Sequence, residues 1–177
     1  MPRCALILSL VLILCSFQYA DDKPVDSPPP EPGLKKLEPA HLKALAQAIG
    51  AKEGQTTGRV HTLTLPRSDL DVNTLELGDI PVEAGLASVF HVFRCGCGKY
   101  YILGQFCVTD YESNDVIDAL RGGKLSIASV APMLLQERPR IVLIRFQGEG
   151  QIEELIKPMK EAVRWIGENR TKPNLVK

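Results

Sequence analysis

The sequence is short of the residues on which most catalysis and nucleic-acid recognition draw. It has three histidines, 6% aromatic residues, and no net charge, with Lys plus Arg and Asp plus Glu at 21 each. Balanced charge leaves no basic footprint for nucleic acid or an anionic bilayer, and so few aromatics leave no base-stacking surface. Ser113, Ser126 and Ser129 lack a nucleophile-elbow setting and have no His close in sequence, which argues against acyl transfer. Gly148-Glu149-Gly150 lacks the rest of a phosphate loop, and Glu149 would repel an anion there. A single Cys-x-Cys has no second motif at a distance, as a strong zinc signal would require. No cofactor is expected.

The chain also has no apolar run long enough to span a bilayer. Ala5–Leu14, broken by Ser9, follows Arg3 and gives way to Asp21-Asp22. That is the pattern of an export signal, with cleavage expected after Ala20. Cys15, after Leu12-Ile13-Leu14, offers lipid attachment as the competing reading. The protein is therefore expected to be periplasmic or secreted, touching the membrane only through its signal or an anchor at Cys15. Residues 21–37 hold five prolines among alternating charges and read as a spacer. A single domain is expected over 38–168, since 177 residues suit one core. Residues 169–177 form a polar tail, with Asn169-Arg170-Thr171 fitting a glycosylation acceptor.

Beyond the signal region lie Cys95, Cys97 and Cys107, an odd number that excludes full pairing within one chain. A bond between Cys95 and Cys97 is expected to be disfavoured at that spacing, making Cys107 the better partner for Cys95. His91, Cys95 and Cys97 share strand parity, so a soft metal set is the weaker competing reading in an exported protein.

Hydrophobic periodicity supplies the elements. Leu42, Leu45, Ala46 and Ile49 make a helix stripe over 38–50, with Pro39 at its first turn and Gly50 at its end. His41 falls off that stripe and is read as solvated. A β-rich run follows from Gly58 to Pro66, then a loop over 67–85 with at most one short strand near Leu75–Leu77. Residues 86–94 and 100–108 form a hairpin through Cys95-Gly96-Cys97-Gly98-Lys99. Thr109 and Glu112 make a capping box for a helix that ends at Gly122-Gly123. Strands are expected over 125–131 and 140–147, then a helix from about Glu149 to Gly167, kinked or restarted at Pro158, with Trp165 covering a core edge. The order is a helix and a strand followed by ββαββα: a two-layer α+β sandwich with a mostly antiparallel sheet.

The segment GQFCVTDYESNDVIDALRGGKLSIASVAPMLLQERPRIVLIRFQGEG, Gly104 to Gly150, resembles the LppY/LpqO family of exported bacterial proteins. The resemblance covers about Gly58 to Gly167 and includes Pro66-Arg67-x-Asp69-Leu70 and Glu137-x-Pro139-Arg140. It implies a His-Asn-His-Met cluster where this chain has Val130-Ala131-Pro132-Met133, and an acid where it has Gln105. A neutral Gln cannot act as a base, and Glu137 alone cannot hold a metal. Longer members look like two copies of the unit, and this chain has room for one.

The expectation is an exported, non-enzymatic domain that binds a small ligand or an envelope partner. Two competing readings stand: an enzyme using Arg67, Asp69 and Glu137, and a metal module at His91, Cys95 and Cys97. Arg67 and Asp69 read either as a ligand clamp or, more commonly, as a pair bracing their loop.

Overall fold

The computed structural model describes residues 33–167. The expected export signal, Cys15, the expected cleavage point after Ala20, most of the proline-rich segment and the 169–177 tail with Asn169 lie outside the described residues.

Six antiparallel strands form the main sheet: β1 (Lys52–Thr57), β2 (Val60–Pro66), β5 (Ala87–Arg94), β6 (Tyr100–Thr109), β9 (Ile141–Gly150) and β7 (Ser126–Pro132), in the order β1-β2-β5-β6-β9-β7. A second, three-stranded sheet has the order β4-β3-β8, from β3 (Val72–Thr74), β4 (Gly78–Ile80) and β8 (Glu137–Arg138). The helices are α1 (Pro39–Ile49), α2 (Asp110–Gly122) and α3 (Ile152–Val163). The fold is α+β, a two-layer sandwich of helices on an antiparallel sheet. Among the described residues no helix is long and apolar enough to cross a membrane.

Strand alternation divides the main sheet into two faces. Leu63, Phe90, Val92, Ile102, Phe106, Val108, Ile144 and Phe146 point one way and join Leu45, Ile49, Val116, Leu120, Leu155 and Met159 of the helices in one core. A smaller core of Val72, Leu86, Cys107 and Ile141, with Met133 and Leu143, lies with the small sheet. Leu37 is buried in the main core and the Lys35 amide donates to the Arg94 carbonyl, so packing begins inside the expected spacer. Trp165 is packed against the core edge as expected.

Several local expectations need correction. β1 was not expected: its sequence Lys-Glu-Gly-Gln-Thr-Thr has no apolar alternation because it is an edge strand held by pairing to β2. Gly54 sits at its register shift, where a Cβ would overlap the Thr62 carbonyl, so only glycine fits. Residues 75–77 are the turn between β3 and β4, not a strand. β9 extends through Gly150, and α3 starts after Gln151, whose amide is capped by Glu154 at 2.9 Å. The helix neither restarts nor breaks at Pro158, which packs against Gly123 so closely that no Cβ would fit there. His41 is half-buried, its Nδ1 2.8 Å from the Tyr100 hydroxyl.

Candidate functional site

Arg67 follows the end of β2 and is only 2% exposed. All five of its N–H donors are engaged. Nε and Nη2 donate to Asp69 at 2.8 and 2.9 Å, Nη1 and Nη2 to Glu112 at 2.9 and 3.0 Å, and Nη1 also to the Cys107 carbonyl at 2.8 Å. Glu112 additionally accepts from the Thr109 amide at 2.7 Å and the Gly167 amide at 2.6 Å. The guanidinium thus ties the loop after β2, strand β6 and the start of α2, and Glu112 extends the tie to the chain after α3. Burial disfavours its charge, yet the hydrogen bonds and charges of Asp69 and Glu112 raise its pKa above the ordinary value. With no donor left over, Arg67 and Asp69 form a brace rather than a ligand clamp. The sequence showed Glu112 only as a capping residue; its tie to Arg67, 45 positions away, left no local signal.

The Arg67 hydrogen bonds hold the Asp69 carboxyl below its ordinary range, against the opposing effect of burial. A depressed folded pKa gives stability that is complete above the unfolded value, near 3.8, and is lost as pH falls through the folded value. The melting midpoint is therefore expected to drop on acidification below about pH 4, and Asp69→Asn to flatten that limb. A variant with the same acid slope as the parent would remove Asp69 as a source.

Glu137 belongs to a different neighbourhood. It lies in β8, opposite Thr74 of β3, is 5% exposed, and accepts the Ile141 amide at 3.1 Å through Oε1, while Oε2 has no hydrogen-bond partner. Nothing bonds it to Arg67 or Asp69, so the structure does not assemble these three residues as one hydrogen-bonded constellation.

The cysteine expectation is overturned. Cys95 bonds to Cys97, with their Cα atoms 5.1 Å apart, and Cys107 is free and buried. The glycine turn of the β5–β6 hairpin brings the two neighbours together, whereas Cys107 lies further along β6 in the smaller core. Burial pushes the Cys107 thiol up to about 11. His91 pairs with the Thr62 hydroxyl at 3.0 Å. With both hairpin sulfurs bonded to each other, the thiolates of a His91, Cys95 and Cys97 metal set are used up. Among the described residues no group of three His, Cys, Asp or Glu is placed to hold a metal.

The positions singled out by the resemblance do converge. Arg145 of β9 stands opposite Gln105 of β6 on one side and Ser129 of β7 on the other, and donates to the Gln105 side chain at 3.1 Å. Val130, Ala131 and Pro132 continue β7 beside Ile144, Leu143 and Val142. What they present is neutral amide, one guanidinium and apolar side chains.

A concavity of about 640 Å3 lies between α1 and the β1–β2 hairpin. Leu37, Leu42 and Ala46 provide an apolar wall; Lys36, Lys43 and Arg59 stand around it, with no ion-pair partner among the described side chains. Among the described side chains no acidic residue lines it. His61 is buried at its edge, 2.7 Å from the Thr56 hydroxyl, and loss of water keeps its pKa below the ordinary value. Sequence reasoning missed this groove because its cations come from three separate segments, none of them charge-dense alone.

Residues 43–165, more than half of the chain, match the family described as Domain of Unknown Function (DUF1259). No curated protein and no solved structure matches the chain.

Proposed function

We propose that this chain, which belongs to the DUF1259 family, is an exported binding domain whose ligand is a small anionic molecule with an apolar body, seated between α1 and the β1–β2 hairpin. The observation that carries the reading is the groove's one-sided chemistry: three cations and an apolar wall, with no carboxylate among the described side chains. Cations at the rim of an apolar cleft attract an anionic head while the cleft takes the hydrophobic portion. Neutral His61 adds hydrogen bonding without repelling or neutralising the guest. Export is supported by the signal-like first twenty residues, and the resemblance to the LppY/LpqO family agrees with it.

Binding is favoured over catalysis by the state of the polar groups. Arg67 is saturated by structural partners, and the positions where the resemblance implies histidines carry Val130, Ala131 and Pro132. The test is thermal stabilisation by dodecanoate and dodecyl phosphate, with dodecanol as the uncharged control. Saturation at about a hundred times Kd is expected to add about 2.7 kcal/mol. The Lys43→Glu/Arg59→Glu double variant should lose that gain while keeping its own midpoint. Equal stabilisation by the alcohol, or none by the anions, would remove this reading.

A further inference from the structure

The disulfide between Cys95 and Cys97 has little to do for the fold. The turn that holds it is already closed by the Cys95 amide on the Lys99 carbonyl at 2.9 Å and the Gly98 amide on the Cys95 carbonyl at 2.9 Å. Arg94 Nε donates to the Gly98 carbonyl at 3.2 Å, and its Nη1 pairs with Glu38 at 2.5 Å. Lys99 reaches Glu149 on β9 at 3.2 Å. A disulfide acts mainly by restricting the unfolded chain, and the restriction grows with loop length. Cysteines two positions apart close one of the smallest loops a disulfide can close. The bond is also accessible, with Cys97 exposed and Cys95 half-buried at the hairpin tip. Accessible disulfides are the ones open to exchange.

The two sulfurs are not equivalent. Cys97 offers the exposed one, and the Cys97 amide donates to Cys95 Sγ at 2.9 Å. That hydrogen bond favours negative charge on Cys95, making it the better leaving group. The third thiol, Cys107, is buried with its pKa near 11, so it neither attacks nor resolves.

We propose that the Cys95–Cys97 pair is a thiol–disulfide exchange site that accepts electrons from a cysteine pair of another polypeptide. The partner's first thiolate attacks Cys97 Sγ; the Cys95–Cys97 bond breaks and Cys95 leaves as a thiolate held by the Cys97 amide. The partner's second thiolate then attacks its own sulfur in the mixed disulfide and releases Cys97. The partner dithiol is oxidised to a disulfide by two electrons, and the hairpin pair is reduced to two thiols after protonation. Run in reverse, the reduced pair opens a partner disulfide. Unlike the groove reading, this depends only on the hairpin tip.

The experiment mixes the full chain, purified in air, with a reduced synthetic peptide carrying two cysteines, quenches with a thiol-alkylating reagent and maps the products by mass spectrometry. About one disulfide per chain should move to the peptide when it is in excess, with Cys95 and Cys97 alkylated. Circular dichroism should stay native, and the melting midpoint should shift by less than about 4 °C. Given the oxidised peptide, reduced Cys95→Ser should accumulate a mixed disulfide at Cys97, and Cys97→Ser should form at least tenfold less at Cys95. Free Cys95 and Cys97 in the air-purified chain would overturn the proposal. So would a peptide that stays reduced, or a hairpin bond that opens only as the fold is lost. Wild-type transfer is read without any substitution, so a variant that fails to fold leaves the decision to that measurement.

Discussion

Replacing Arg67 with Ala is expected to cost about 3–5 kcal/mol, the loss that follows when one member of a buried ion pair is removed. The cost arises in the groups left behind. Glu112 would keep only the Thr109 and Gly167 amides, Asp69 would lose both its Arg67 bonds, and the Cys107 carbonyl would be left without that donor. Against a typical domain stability of about 5–15 kcal/mol, that leaves a marginal fold. Arg67→Lys should recover little, since one ammonium cannot reproduce a planar fork bonded to two carboxylates and a carbonyl. Glu112→Gln should cost less in an Arg67→Met background than in the parent, because the two share a network. Urea denaturation checks all of these, with the slope monitored so that a change in midpoint reads as stability. A loss below about 1 kcal/mol for Arg67→Ala would mean the site is solvated, and the ligand-clamp reading would return.

The same residue shows what the sequence could and could not convey. Pro66-Arg67-x-Asp69 is visible as a local pair, and the bracing alternative was the physically commoner one. Glu112 was visible as the third residue of a capping box. That the two features share one carboxylate depends on the loop after β2 reaching past β5 to the end of β6 and the start of α2, a tertiary fact with no short-range trace. The long elements were legible for the opposite reason. α1, α2 and α3 repeat their apolar residues at the helical period, and β5, β6 and β9 are runs rich in β-branched and aromatic residues. β1, β3, β4 and β8 left little trace: they are short or polar, and pairing rather than burial pattern defines them. Cys95 and Cys97 were read from spacing alone, which missed that a glycine turn can bring near neighbours together.

Phe106→Ala is expected to cost about 3–5 kcal/mol, the range for deleting a buried ring and leaving its cavity. Phe106 is fully buried at the centre of the sheet, between Phe90 of β5 at 5.0 Å edge-on and Phe146 of β9 at 5.5 Å stacked. Gly104 is part of the same arrangement, because a Cβ there would overlap the Phe146 ring. The three rings and the glycine hold the middle strands at one spacing, so the cavity cannot collapse without moving β6 against β9. Phe106→Leu should cost less, since much of the volume is retained. The internal control is Phe93 with Tyr101, a parallel pair 5.4 Å apart whose members are only half-buried. If ring stacking itself were dominant, Phe93→Ala would approach the loss at Phe106. If burial dominates, it should stay near the 0.5–1.5 kcal/mol typical of an aromatic pair. Paired denaturation curves for the two variants decide between these, and a Phe93→Ala loss equal to that of Phe106→Ala would show that the ring pair, rather than burial, sets the cost.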